Sequence, residues 1–229
     1  MKKHDTSVLA AMIEESVKSR GISPEAVWLD KHSSLENGLR RCEAIFRMIG
    51  AQQNFNILDV GCGPGLALAY LQDRYGRLDG RYYGIDVSEA LITLARQLWP
   101  GHEFQVRDII ADPLPEKAYD FTAINGVLTA KYTLSHDDME NFVTDLLQAA
   151  WKSTAAALSF NVMSTHVDWT RDDLFHWPMD QAATFCMAKL SRHINLMADY
   201  GLYEYTVQVF REPYPLGEIP LAWQRLSKT

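Results

Sequence analysis

The segment Ile57-Leu58-Asp59-Val60-Gly61-Cys62-Gly63-Pro64-Gly65 constrains the fold more than any other. The run from Phe55 to Val60 has the length and apolar content of a buried strand, and it delivers Asp59 to the edge of three alternating glycines that open a helix. Glycine tolerates positive φ and leaves no Cβ between the backbone and a ligand, and parallel sheets collect ligands beyond the carboxyl ends of their strands. The segment therefore reads as a strand, turn and helix that cradle a nucleotide-like ligand. A dinucleotide fingerprint, G-x-G-x-x-G, would put its third glycine where Leu66 stands; here the third glycine is Gly65, which counts against a nicotinamide cofactor.

The chain beyond this turn repeats the strand-and-helix alternation. A helix from Gly65 to Tyr75 leads to a strand at Arg81–Val87 that ends on Asp86, 25 residues past Gly61. A carboxylate at the tip of a second strand can accept two hydrogen bonds from vicinal ribose hydroxyls. A Ser88-capped helix through Leu98 and a strand at Glu103–Val106 then bring Asp108 to the same edge, where it could accept the exocyclic amine of adenine. Next come a strand at Tyr119–Asn125, a helix opened by Ser135 with Phe142, Val143, Leu146, Leu147, Ala150 and Trp151 on one stripe, and a strand at Ala155–Asn161. A helix near Asp180 precedes two strand-like runs, Ile194–Asp199 and Leu202–Phe210, separated by Tyr200-Gly201; so short a link requires an antiparallel hairpin. The alternation predicts a mostly parallel sheet covered by helices on both faces. Trp99 and Trp151 fall on apolar helical faces and read as core.

The first fifty residues carry no strand signal. Val8, Leu9, Met12, Ile13 and Val17 recur at helical spacing up to Gly21, Ser23-Pro24-Glu25 marks a second helix start, and Ser33 with Glu36 resembles a capping box. The helix it opens has Leu39, Ala44, Ile45, Met48 and Ile49 on its apolar side and stops at Gly50. The expected organisation is a helical cover over 1–50, a core over 51–211 and a tail over 212–229 that Pro213, Pro215 and Pro220 lead away from the sheet. With 22 Lys plus Arg against 29 Asp plus Glu, the net charge of −7 argues against a nucleic-acid partner. No apolar run approaches the ~18 residues of a membrane span, and the N-terminus has no apolar leader, so a cytoplasmic location without membrane partners is expected. Cys42, Cys62 and Cys186 lack metal-ligand spacing and read as reduced apolar residues, with no metal site.

An acidic residue followed by G-x-G-x-G at the end of the first strand, with Asp86 ending the second, resembles the class I S-adenosylmethionine-dependent methyltransferases over about residues 55–211. The resemblance implies a three-layer, Rossmann-like α/β fold whose seven-stranded sheet has its last strand antiparallel. It also implies S-adenosylmethionine as cofactor and S-adenosylhomocysteine as product. On it, Gly61 and Gly63 lie against the methionine and ribose, Asp59 orients the amino group, Asp86 holds the ribose hydroxyls and Val87 meets the adenine face. Asp108 and Ile109 read the adenine edge, and Asn125-Gly126-Val127 border the methionine end. Arg41 or Arg40 on the helix before the core could supply a cation for the cofactor carboxylate, with Trp28 in the same cover. Members that act on DNA bases or amide nitrogens commonly carry an Asn/Asp-Pro-Pro-aromatic run after strand four, whereas this chain has Asn125-Gly126-Val127-Leu128. With the acidic balance, that points to methylation of a small polar metabolite at oxygen or nitrogen. A macromolecular acceptor such as tRNA or protein, and a non-catalytic cofactor-binding partner or sensor, are the alternatives.

The stretch Met163–Met179 holds Ser164, His166, Asp168, Trp169, Phe175, His176 and Trp177 and reads as an aromatic lid over the acceptor, the alternative being a solvated connection whose aromatics pack on the helical cover. His166, nearest the strand end, is the first candidate for a general base, because neutral imidazole accepts a proton near neutral pH. Tyr132, with Lys131, and His136 are the further candidates. The lid and the tail could each contribute to a homodimer interface.

Overall fold

A computed structural model describes residues 11, 12, 14, 15 and 35–213. The expectations for Val8, Leu9, Ile13, Val17 and Gly21, for the Ser23-Pro24-Glu25 start, Trp28 and the Ser33 cap, and for the tail beyond 213 lie outside the described residues. The elements are α1 (Leu35–Phe46) with a 3-10 turn (Arg47–Ile49), β1 (Ile57–Val60), α2 (Leu66–Tyr75), β2 (Tyr82–Asp86), α3 (Glu89–Leu98), β3 (Glu103–Val106), β4 (Tyr119–Ile124), α4 (His136–Ser153), β5 (Thr154–Met163), α5 (Met179–Lys189), β6 (His193–Met197) and β7 (Glu204–Phe210).

The seven strands form one sheet in the order β3-β2-β1-β4-β5-β7-β6. β1 pairs in parallel with β2 and β4, placing Asp59 between Gly84 and Ala123, and β7 runs antiparallel to both β5 and β6. Because successive connections leave β1 toward β2 on one side and later return to β4 on the other, a crevice opens beyond the carboxyl end of β1. All four residues of β1 are buried, as a central strand covered on both faces requires. Leu58 and Val60 join a core cluster with α4 and α5, while Ile57 joins a second cluster with α1, α2 and α3.

Local signals set the helix boundaries. The Ser88 hydroxyl accepts from the Leu91 amide to start α3, and that of Ser135 accepts from the Asp138 amide to start α4. Arg211, just after β7, ties the end of that strand to the α4–β5 junction: its Nη2 donates to the carbonyls of Trp151 (2.6 Å) and Thr154 (3.0 Å), and its guanidinium lies 3.9 Å from the Trp151 ring centroid.

Two local expectations need correction. Leu39 is half exposed, because α1 turns Arg41 and Cys42 inward instead; Ala44, Ile45, Met48 and Ile49 are buried as expected. The terminal hairpin is antiparallel, but residues 198–203 rather than two residues connect its strands. That longer connection is held from both sides, since Arg40 donates to the Tyr200 carbonyl and the Ser164 amide donates to the Tyr203 carbonyl. All three cysteines are free and buried, and burial pushes the thiols of Cys42 and Cys186 up to about 12, which leaves them unreactive at neutral pH. No described helix is long and apolar enough to cross a membrane, and no described cluster of His, Cys, Asp and Glu could hold a metal ion.

Candidate functional site

The crevice is a pocket walled by the glycine turn and by the residues following β2, β3 and β4. Gly61, Gly63 and Gly65 all have positive φ. The amides of Gly61 and Cys62 both donate to the Ile85 carbonyl, at 2.8 and 3.0 Å, which pins the turn to β2. Its far side is braced by α3: Trp99 Nε1 donates to the Pro64 carbonyl at 3.0 Å, and a Cβ on Gly65 would lie 2.6 Å from that nitrogen. Trp99, expected as core, is half-buried and supports the turn from behind.

Two buried carboxylates, Asp59 and Asp86, lie beside this turn. Asp59 is 1% exposed and accepts a 2.6 Å bond from the Tyr82 hydroxyl. Burial pushes its carboxyl up to about 7, the Tyr82 bond opposes that rise and the nearby Asp86 charge adds to it. Asp86 accepts from the Gly63 amide at Oδ2 (3.0 Å) and from the Ser88 amide at Oδ1 (2.9 Å), so it ties the glycine turn to the start of α3. Burial raises its pKa as well, against those backbone bonds. The hydroxyl of Ser88 also donates to Glu14 at 2.6 Å, bringing an N-terminal residue to this corner. Asp108 caps its own turn through the Ile110 amide and lines the pocket beside buried Ile109. After β4, Asn125 points Nδ2 at Cys42 Sγ, its buried Oδ1 has no protein partner, and the Gly126 amide donates to Asn161 Oδ1 at 2.8 Å.

The pocket thus brings together Asp59, Gly61, Gly63, Asp86, Val87, Asp108, Ile109, Asn125 and Gly126, together with Tyr132. Tyr132 adopts φ +51°, and its amide and that of Lys131 both donate to the Asp173 carbonyl, which holds this uncommon backbone in place. Arg41 is elsewhere: it is buried and donates to Glu204 from Nε at 2.8 Å and Nη2 at 2.5 Å. Arg40 is exposed and pairs with Glu36.

His166 and His136 are exposed and lie outside the pocket lining. His136 instead meets the His176 carbonyl at 3.2 Å and packs on Phe175. The stretch after β5 departs from the expected lid in a specific way. Phe175 and Trp177 are core residues, and the Phe175 amide donates to the Thr129 carbonyl at 2.8 Å while Ala130 bridges Leu174, so the segment is stitched to the loop after β4. Only its outer part, with Asp168 and Trp169, is exposed, and Trp169 rests edge-on against Tyr203.

Phe142 and Leu146 of α4 line the pocket although the helical stripe assigned them to the core. Periodicity identifies the inward face of a helix but does not separate the part over the sheet from the part over a crevice at its end. Asn161 and Glu204 are buried polar residues that no motif marks, but a charged or amide side chain inside an apolar strand run is itself a readable signal of a buried polar network.

Comparison with known proteins gives a consistent picture. A family profile described as a methyltransferase domain matches residues 57–150. Rv1506c of Mycobacterium tuberculosis, itself a methyltransferase by assignment only, is 32% identical over 172 residues, covering 71% of this chain and 97% of its own. Among solved structures, magnesium protoporphyrin IX methyltransferase from Synechocystis PCC 6803 with bound S-adenosylhomocysteine superposes with a TM-score of 0.64 at 12% identity, covering 91% of this chain and 100% of that one. The 1,6-didemethyltoxoflavin-N1-methyltransferase of Burkholderia thailandensis superposes with a TM-score of 0.62 at 16% identity, covering 92% of each chain.

Proposed function

The chain belongs to the class I S-adenosylmethionine-dependent methyltransferases, and on that premise we propose that its pocket binds S-adenosylmethionine and that it methylates a small molecule at oxygen or nitrogen. The observation that carries this reading is the convergence of Asp59, the glycine turn, Asp86 and Asn125 on one crevice at the ends of β1, β2 and β4. The residues fit the cofactor. Asn125 Oδ1 is a buried acceptor without a protein donor, which an ammonium group would supply, and a Cβ on Gly61 would lie 2.1 Å from Val127 Cγ2, so only glycine lets the turn pack this closely against the pocket wall.

Bound there, S-adenosylmethionine supplies an electrophilic sulfonium methyl group. The protein's part is mainly to hold that methyl in line with an acceptor atom, which can account for much of the barrier reduction in such a displacement. Asp59 and Asn125 orient the amino end, Asp86 holds the ribose, and Val87 with Ile109 confines the adenine. Of the three acid–base candidates, Tyr132 lines the pocket while His136 and His166 do not, which supports Tyr132 as the residue that meets an acceptor. A small-molecule acceptor is supported by the −7 charge and by Asn125-Gly126-Val127-Leu128 after β4. The two structural neighbours also bear the names of a porphyrin and a toxoflavin methyltransferase.

Calorimetric titration with S-adenosylmethionine, S-adenosylhomocysteine and NAD tests the cofactor assignment. Micromolar binding of the first two and none of NAD is expected; no binding of either sulfur compound by folded protein would overturn it. Screening small-molecule pools for release of S-adenosylhomocysteine then tests transfer.

Asp59 adds a pH signature. Its carboxyl titrates near 7 in the free pocket, and pairing with an ammonium favours the charged form, so affinity should rise with pH up to about 7 and level off above it. Below that point binding should release a proton, visible as a dependence of the binding heat on buffer ionisation enthalpy. The folded pKa lies above the unfolded value of 3.8, so the native state retains this proton more tightly. That contribution to stability is complete below the unfolded pKa and is lost as pH rises through the folded one. Asp59→Asn should therefore melt like wild type at pH 4, gain on the order of 2–4 kcal/mol at pH 8, and show no pH-linked proton release. A variant of unchanged stability at pH 8 would contradict the raised pKa.

A further inference from the structure

The Arg41–Glu204 ion pair lies outside the pocket, yet a continuous run of hydrogen bonds joins it to the pocket wall. Arg41 donates to Glu204 Oε1, Glu204 Oε2 accepts from Asn161 Nδ2 at 2.5 Å, and Asn161 Oδ1 accepts from the Gly126 amide at 2.8 Å. Arg41, Glu204 and Asn161 are 9%, 4% and 0% exposed. A desolvated ion pair of this kind is a weak source of stability, since well-packed apolar residues commonly serve as well. Its chemistry does something apolar residues cannot. A carboxylate only accepts hydrogen bonds, so Glu204 obliges Asn161 to present its Nδ2 on that side and therefore its Oδ1 toward Gly126. With the amide flipped, two donors would face each other at Gly126.

We propose that Arg41, Glu204 and Asn161 form a positioning relay that holds the backbone of Asn125-Gly126 in its cofactor-binding geometry. The proposal rests on the cofactor reading above. Gly126 has φ +80°, and it adjoins the unpartnered Asn125 Oδ1, so a rotation of this peptide would move the acceptors that face the cofactor's methionine end. Arg41 comes from α1 and Glu204 from β7, which links the seating of the N-terminal helix to the shape of the pocket. Arg41 thus acts on the methionine end through Gly126 and not as a direct counter-ion.

Two variants separate positioning from stability. Arg41→Met combined with Glu204→Met removes both charges and leaves neither one buried alone. Glu204→Gln keeps the shape but offers Asn161 an amide that cannot accept on both sides. The double variant should unfold cooperatively near the wild-type temperature, and Glu204→Gln, which leaves the Arg41 charge without a counter-ion, at a lower temperature but still folded at 25 °C; in both, S-adenosylhomocysteine binding weakens about tenfold or more and hydrogen exchange at the Gly126 amide accelerates. Folded variants that bind S-adenosylhomocysteine with wild-type affinity would overturn the relay and leave the ion pair a packing feature. Failure of wild-type protein to bind would instead overturn the cofactor reading. A Gly126 amide that exchanges freely in wild-type protein would overturn the relay without recourse to any variant.

Discussion

Alanine at position 61 should cost at least 100-fold in S-adenosylmethionine affinity and destabilise the fold by roughly 2–4 kcal/mol. Gly61 sits at φ +73°, where an L-residue with a Cβ pays ~1–2 kcal/mol in backbone strain alone. The added methyl carbon would stand 2.1 Å from Val127 Cγ2 and must displace it. Val127 is β-branched, stiff about χ1 and part of the pocket wall, so the displacement falls on the turn or pushes Val127 and reshapes that wall. The turn has little freedom to yield, because the amides of Gly61 and Cys62 are both fixed to Ile85. Adding Val127→Ala to Gly61→Ala removes the clashing carbon but not the φ strain, so the double variant should regain part of the affinity and part of the stability. Calorimetry together with chemical denaturation measures both. An alanine variant that binds as wild type would show that the glycine turn is not the cofactor cradle.

The glycine turn and the acids around it were legible in the sequence because their information is local. Asp59, Gly61, Gly63, Asp86 and Asp108 each stand at a strand end defined by a few neighbouring residues, and a parallel sheet brings successive strand ends to one edge whatever the rest of the chain does. The Ser88 and Ser135 caps were legible for the same reason. Arg41 was not, since its partner Glu204 is 163 positions away, and a cation one helix before the core is equally compatible with a ligand carboxylate and with a distant strand. The aromatic segment after β5 divides along a line that composition does not mark. Phe175 and Trp177 turn inward because their backbone is bonded to Thr129 and Met163, whereas Trp169 stays outside. His166 and His136 failed as pocket residues on similar grounds. Position near a strand end or a helix start places a residue at the correct edge of the sheet, but not which way its side chain leaves it.

Asp86→Ala should be the most damaging single change to cofactor binding, lowering affinity by two to three orders of magnitude, and Asp86→Asn should be nearly as severe. Hydrogen bonds to a charged group contribute about 1.5–3 kcal/mol each, and a ribose diol makes two. The asparagine case is the informative one, because it is usually counted as conservative. Each Asp86 oxygen already accepts a backbone amide, Oδ2 from Gly63 and Oδ1 from Ser88, while one lone pair on each remains for a hydroxyl. An amide in the same place has a single oxygen, so its NH2 must oppose the N–H of either Gly63 or Ser88. The first orientation loosens the glycine turn and the second loosens the start of α3. Stability should respond less than affinity, since burial raises the Asp86 pKa and losing the charge offsets part of the lost bonding. The expected pattern is therefore a small fall in melting temperature beside a large fall in affinity for both S-adenosylmethionine and S-adenosylhomocysteine. If Asp86→Asn keeps wild-type affinity, the ribose does not lie at this carboxylate, and the cofactor would have to be placed along the pocket by Asp59 and Asn125 alone.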